Sequence, residues 1–84
     1  MKMIICTVYD SAIETFGRPF FVTHRGQAVR SFSDEVKNKD SSSELANHSD
    51  DFTLYAIGEY EDSTGIVSHH QHEVLIRGKD VLKG

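Results

Sequence analysis

The stretch Arg18-Pro19-Phe20-Phe21-Val22-Thr23-His24-Arg25-Gly26-Gln27-Ala28-Val29-Arg30 interleaves cations with aromatic rings. Single-stranded nucleic acid is bound by this combination, because rings stack on bases of any sequence while Arg follows the phosphates. Arg25, Gly26 and Gln27 also stand where the backbone N–H groups of a helix start would favour an anion. Arg18, Phe20, Phe21, Arg25 and Arg30 are therefore the candidate nucleic-acid-binding residues. The competing reading is that Phe20 and Phe21 divide between core and loop packing while the three Arg are simply solvated. It draws on strand geometry: alternate residues point to opposite faces, so only one of the two rings can lie with the cations.

His69, His70 and His72 form the second group with chemical potential. In a regular strand His70 and His72 share a face and could hold one metal ion, with Glu73 on the other side. Two imidazoles fall short of a structural zinc site, and His24 and His48 are remote in sequence. The expectation is an exposed polar hairpin with no metal and no cofactor, or at most a pH-sensitive surface. Cys6, in an apolar strand, reads as a buried structural thiol. Ser, His and Asp are plentiful, but the chain has no nucleophile elbow, phosphate loop, nucleotide fingerprint or zinc spacing, so no enzyme and no catalytic residues are expected.

Charge narrows the choice of partner. The net charge of -4 argues against a general polyanion binder, since counterion release needs Lys and Arg where the phosphates lie. The distribution is uneven: Lys2, Arg18, Arg25 and Arg30 outweigh Asp10 and Glu14 through Ser33, whereas from Asp34 onward the carboxylates dominate. One Cys among 84 residues excludes an internal disulfide. With no cationic leader and no apolar run of bilayer length, the composition fits a reducing cytoplasm and no membrane.

The elements that must position these residues follow from periodicity. Lys2 to Tyr9 alternates Met3, Ile5, Thr7 and Tyr9 with Ile4, Cys6 and Val8, predicting a central strand with two apolar faces. Asp10 to Pro19 reads as a loop, and Phe20 to Val22 as a short strand after Pro19 or at an edge. Thr23 is the expected N-cap of a helix from about His24 to Lys37, with Ala28, Val29, Phe32 and Val36 on one face. Residues 38–47 read as a mobile loop, within which Ser43 could cap a short turn through Ala46. Phe52 to Tyr60 and Ile66 to Arg77 form a hairpin across Asp62-Ser63-Thr64-Gly65, and 78–84 reads as a frayed tail.

The predicted fold is a single α+β domain over 1–84, a mostly antiparallel sheet of three to four strands with one main helix packed on one face. One helix covers one side of the sheet. The other side then needs a second subunit, a partner, or the Ser11–Phe16 loop folded over it, so a homodimer is expected.

Three ordered blocks carry a family likeness. They are Thr7-Val8-Tyr9-Asp10-Ser11; Arg18-Pro19-Phe20-Phe21 leading into Gly26-Gln27-Ala28-Val29-Arg30-Ser31-Phe32-Ser33-Asp34-Glu35-Val36; and His48-Ser49-Asp50-Asp51-Phe52-Thr53-Leu54-Tyr55-Ala56-Ile57-Gly58-Glu59-Tyr60-Glu61-Asp62-Ser63-Thr64-Gly65. Through them the chain, from about Ile4 to Gly65, resembles the small non-structural protein of gokushovirus-type microviruses, which are single-stranded DNA phages. Ser49 stands where that family is expected to have Pro, and the His-rich stretch after Ile66 lies outside the likeness. The resemblance implies a non-enzymatic phage protein absent from the mature capsid, located in the cytoplasm of the infected bacterial host. It implies a role in viral single-stranded DNA synthesis or packaging, with single-stranded DNA as the partner. The alternative is a homo-oligomeric adaptor or inhibitor of a host or phage replication protein, for which the acidic C-terminal part and a second apolar sheet face are suited.

Overall fold

The structure is a computed structural model that describes residues 1–38 and 42–81. Its strands are β1 (Lys2–Asp10), β2 (Thr15–Phe16), β3 (Phe20–Val22), β4 (Phe52–Glu61) and β5 (Ile66–Arg77). Its helices are α1 (Arg25–Lys37), α2 (Glu44–Asn47) and α3 (Gly78–Val81), with a 3-10 turn over Ser49–Asp51. The fold is α+β with an antiparallel sheet.

β1 lies inside the sheet, as its two apolar faces require. One edge pairs with β4, which in turn pairs with β5. The other edge carries β2 and β3 end to end, with Phe16 opposite Tyr9 and Phe20 opposite Cys6. Among the described residues the sheet therefore has five strands rather than three to four. The added strand is Thr15–Phe16, within the segment expected to be a loop. It forms because the chain turns back at Ser11–Glu14, where Asp10 Oδ1 accepts from the Ala12 amide at 2.9 Å and Glu14 adopts a positive φ of 54°. Pro19 precedes β3 at this edge, where its missing N–H breaks no ladder.

Helix α1 follows the i, i+4 spacing of Ala28, Phe32 and Val36, all buried. Its N-cap is His24 rather than Thr23. The start is secured by Gln27, whose Oε1 accepts from the Thr23 amide at 2.8 Å, the Thr23 hydroxyl at 2.8 Å and the His24 amide at 3.0 Å. This is the reach-back half of a capping box, in which a side chain one turn on satisfies donors the helix cannot. Beside the expected main helix, the described residues hold two further helices, each a single turn.

Ile4, Cys6, Leu54 and Ala56 meet Ala28, Phe32, Val36 and Val81 in one core beneath α1. Val81 closes the open end of that core, because α3 turns Gly78 against the backbone of Ser49 and Phe52. The segment expected to fray thus contributes a buried side chain up to Val81, while 82–84 lie outside the described residues. Of the segment read as a mobile loop, 39–41 also lie outside them. Ser43 does cap a turn there, its Oγ accepting from the Ala46 amide at 3.1 Å.

Candidate nucleic-acid interface

Because side chains alternate along a strand, packing α1 on one face commits every second residue to the other. Cross-strand register assigns that second face: Phe16, Tyr9, Thr53 and Arg77 in one row, Thr7, Tyr55 and Val74 in the next. Phe21, Ile5, Gly58 and His69 form a third row, and Met3, Tyr60 and Val67 a fourth. No helix among the described residues covers this surface, and Phe21 is 48% and Phe16 42% exposed.

The rings on it touch. Phe16 lies 4.7 Å from Tyr9, 5.8 Å from Tyr55 and 5.4 Å from His72 between ring centroids, and Tyr55 lies 5.9 Å from His72. A second pair, Phe21 and Tyr60, meets edge-on at 5.7 Å. Ile5 and Thr7 are buried beneath these rings, and the Thr7 hydroxyl donates to the Gly17 carbonyl at 2.9 Å. The Ser11–Phe16 segment therefore covers one corner of the face with the Phe16 ring and leaves the rest open.

The charge of this face differs from that of the whole molecule. Among the described residues the strand carboxylates are Asp10, Glu59, Glu61 and Glu73, and none occupies an outward row. Glu59 stands opposite Ile4 of the core, Glu73 opposite buried Ala56, and Asp10 opposite core-packed Phe52. Arg77, His69 and His72 are the ionisable groups on the outward rows besides the tyrosines. The face is aromatic with a mildly cationic margin, which suits a planar, anionic ligand.

The five residues expected to bind together are distributed over the molecule. Phe20 packs against the core, whereas Phe21 faces the open side. Arg18 is exposed in the connection between Phe16 and Phe20, on the edge that carries both β2 and β3. Arg25, on α1, is held by Glu73 through Nε at 3.1 Å, with a further bond from its second guanidinium nitrogen at 3.1 Å. Arg30 is exposed on the same helix. Of the five, Phe21 lies on the open face and Arg18 at its edge. The stretch crosses from sheet edge to helix, so adjacency in sequence becomes opposition in space.

The histidines regroup as well. His69 and His72 share the open face, with ring centroids 6.4 Å apart, rather than His70 and His72. The cause is a register irregularity in which Ala56 faces Glu73 and Gly58 faces His69, so three residues of β5 oppose one of β4. A bulge of this kind reverses the alternation beyond it. His70 Nδ1 lies 2.8 Å from the Gln71 carbonyl. No group of three metal-ligating side chains occurs among the described residues. Burial pushes the Cys6 thiol up from its ordinary pKa, which keeps it a neutral core residue.

Phe16, Tyr9, Tyr55, Tyr60 and Arg77 belong to this surface although they lie outside the stretch of alternating cations and rings. Tyr9 and Tyr55 were legible as outward strand positions, whereas Phe16 depended on a two-residue strand with no periodicity of its own. No helix among the described residues is long and apolar enough to cross a membrane. Neither the comparison with curated proteins nor that with solved structures finds a match. The family described as Phage ORF5 protein, in contrast, matches residues 3–81, from the first outward residue of β1 to the core-closing Val81. A match over nearly the whole chain makes it a bacteriophage protein of the Phage ORF5 family.

Proposed function

We propose that this chain is a non-enzymatic accessory protein of a gokushovirus-type microvirus that binds single-stranded DNA during viral DNA synthesis or packaging, using the open face of its sheet. The observation that carries the reading is the set of touching rings Tyr9, Phe16, Tyr55 and His72, with Phe21 and Tyr60 beside them, on rows without strand carboxylates. Membership of a phage protein family adds support, and the sequence resemblance to a small protein of single-stranded DNA phages is consistent with it. Bases unstacked from the strand lie on Phe16 and Phe21, each worth about 1 to 3 kcal/mol. Arg18 at one edge and Arg77 on the β5 side take the phosphates. Arg25, bonded to Glu73, and Arg30 lie on the helix side and add only to the general field.

Fluorescence anisotropy with labelled oligothymidylate at low salt tests this. Phe16→Ala and Phe21→Ala should each weaken binding roughly ten-fold, the effect of losing one stacked base. Arg25→Ala should leave binding nearly unchanged. No binding at low salt, together with tight capture of one replication protein in nuclease-treated extract, would favour the adaptor reading. The exposed apolar Val67 and Val74 on the same face are the observation in its favour.

A further inference from the structure

The sheet ends differently at its two sides. One edge is divided between β2 and β3, of two and three residues, with Pro19 between them. The other is β5, twelve residues long, with no Pro or Lys and no strand paired to its outer side among the described residues. Short edges, Pro, Lys and bulges are among the usual protections against adding a further strand, and of these β5 has only its register irregularities.

We propose that β5 pairs antiparallel with β5 of a second copy of this chain, about a two-fold axis between His70 and Gln71, joining two sheets into one with a continuous open face. The bulge makes this register possible. Before it, Val67 and His69 point outward and Ser68 inward; after it, His72 and Val74 point outward and Glu73 inward. The axis sets Val67 against Val74 of the second copy, His69 against His72, and Ser68 against Glu73, each pair on one face. A strand without the bulge would set outward residues against inward ones in this register.

Burial and charge agree with that pairing. Val67 and Val74 are 63% and 41% exposed in a single chain, and the two-fold brings them together twice. The charged side chains of β5 are Glu73 and Arg77. Glu73 meets a Ser hydroxyl, and Arg77 lies past a second register irregularity at Leu75, beyond the paired segment, so no carboxylate meets a carboxylate and no Arg meets an Arg. The interface is isologous and closes at two copies, leaving no free long edge to propagate a fibre.

Sedimentation equilibrium of the full chain should show a dimer that dissociates on dilution. Two exposed-position variants then read the register. A mixture of Val67→Cys and Val74→Cys chains should be joined by a short bifunctional thiol cross-linker, whereas neither variant alone should be, since Cys6 is fully buried. Hydrogen exchange on the unmodified chain supplies an independent reading. The outward-edge amides of β5 should slow as concentration rises. A monomer at all concentrations would overturn the proposal, as would a dimer whose outer β5 amides exchange freely or whose mixed variants fail to cross-link.

Discussion

Two residue positions carry more consequence than their types suggest. Gly78 lies where β5 gives way to α3, and a Cβ there would run into the carbonyl of Ser49 and crowd that of Phe52. Both obstacles are backbone, so no side chain can swing aside. Gly78→Ala should cost about 1 to 3 kcal/mol as overpacking, read as a lower denaturation midpoint, with Gly26→Ala, which meets nothing, as the control. Glu61 acts through charge instead. The Met1 ammonium donates to its carboxylate at 2.7 Å and to Asp62 at 2.8 Å, and Ser63 donates to Glu61 as well. These bonds hold the Glu61 carboxyl at about 2, below its ordinary 4.5, the ammonium being the largest cause. A depressed carboxylate stabilises the fold above its unfolded value, and that contribution fades as pH falls through the folded one. Glu61→Gln should therefore lower the melting temperature slightly at neutral pH, with the difference shrinking from about pH 4.5 down to about 2. A difference that grew on acidification would contradict the assignment. On the basic side the same contact raises the Met1 amine above 8.0, so it weakens again as pH climbs through that raised value.

Among the elements, the helix is legible in the sequence, but its N-cap is His24, one residue beyond the residue type that best marks it. Ala28, Phe32 and Val36 announce α1 through their spacing, while Thr23 has the chemistry of an N-cap and points to a boundary one residue too early. The structure uses Gln27 from within the first turn to satisfy Thr23 and His24 together. Gln27→Ala removes that acceptor and should cost about 1 kcal/mol, within the range of lost caps. Gln27→Glu keeps the acceptor and adds a negative charge near the positive helix end, so it should hold or raise the melting temperature. If both substitutions lowered stability equally, the acceptor role would be wrong. The strands show where local pattern stops being informative. β1, β4 and β5 follow from alternation, but β2 has two residues and exists through its pairing with Tyr9 and Asp10. The bulge in β5 is likewise a property of the β4–β5 pair, because nothing in His69-His70-Gln71-His72 marks it. That one feature decides which histidines meet, and it moved the pairing from His70 with His72 to His69 with His72.

For the molecule as a whole, the division of charge between the two sides of the sheet matters more than the sum. Sequence separates a basic start from an acidic remainder, yet the fold sorts charge by face: Arg25 and Arg30 join Glu59, Glu61 and Glu73 on the helix side, away from the rings. The candidate site was legible as a composition of Arg and Phe, and only partly as a location, because face assignment requires register. DNA on the open face would sit across the sheet from most carboxylates, at a separation comparable to the Debye length of about 10 Å at 0.1 M salt. Two effects of salt then compete. Added salt weakens the contacts of Arg18 and Arg77 with phosphate through lost counterion release, and it also screens repulsion from the acidic side. The net dependence should be a falling affinity with a slope shallower than the number of phosphate contacts alone gives. Arg18→Ala and Arg77→Ala should each flatten the plot of log K against log salt by about 0.7, the value for one contact with a single strand. Phe16→Ala should lower the whole line without changing its slope, because stacking releases no counterions. Anisotropy titrations across salt concentrations separate the two classes. Equal slopes in wild type and both Arg variants would remove the phosphate role from Arg18 and Arg77, and a slope change in Phe16→Ala would remove the stacking role from the ring.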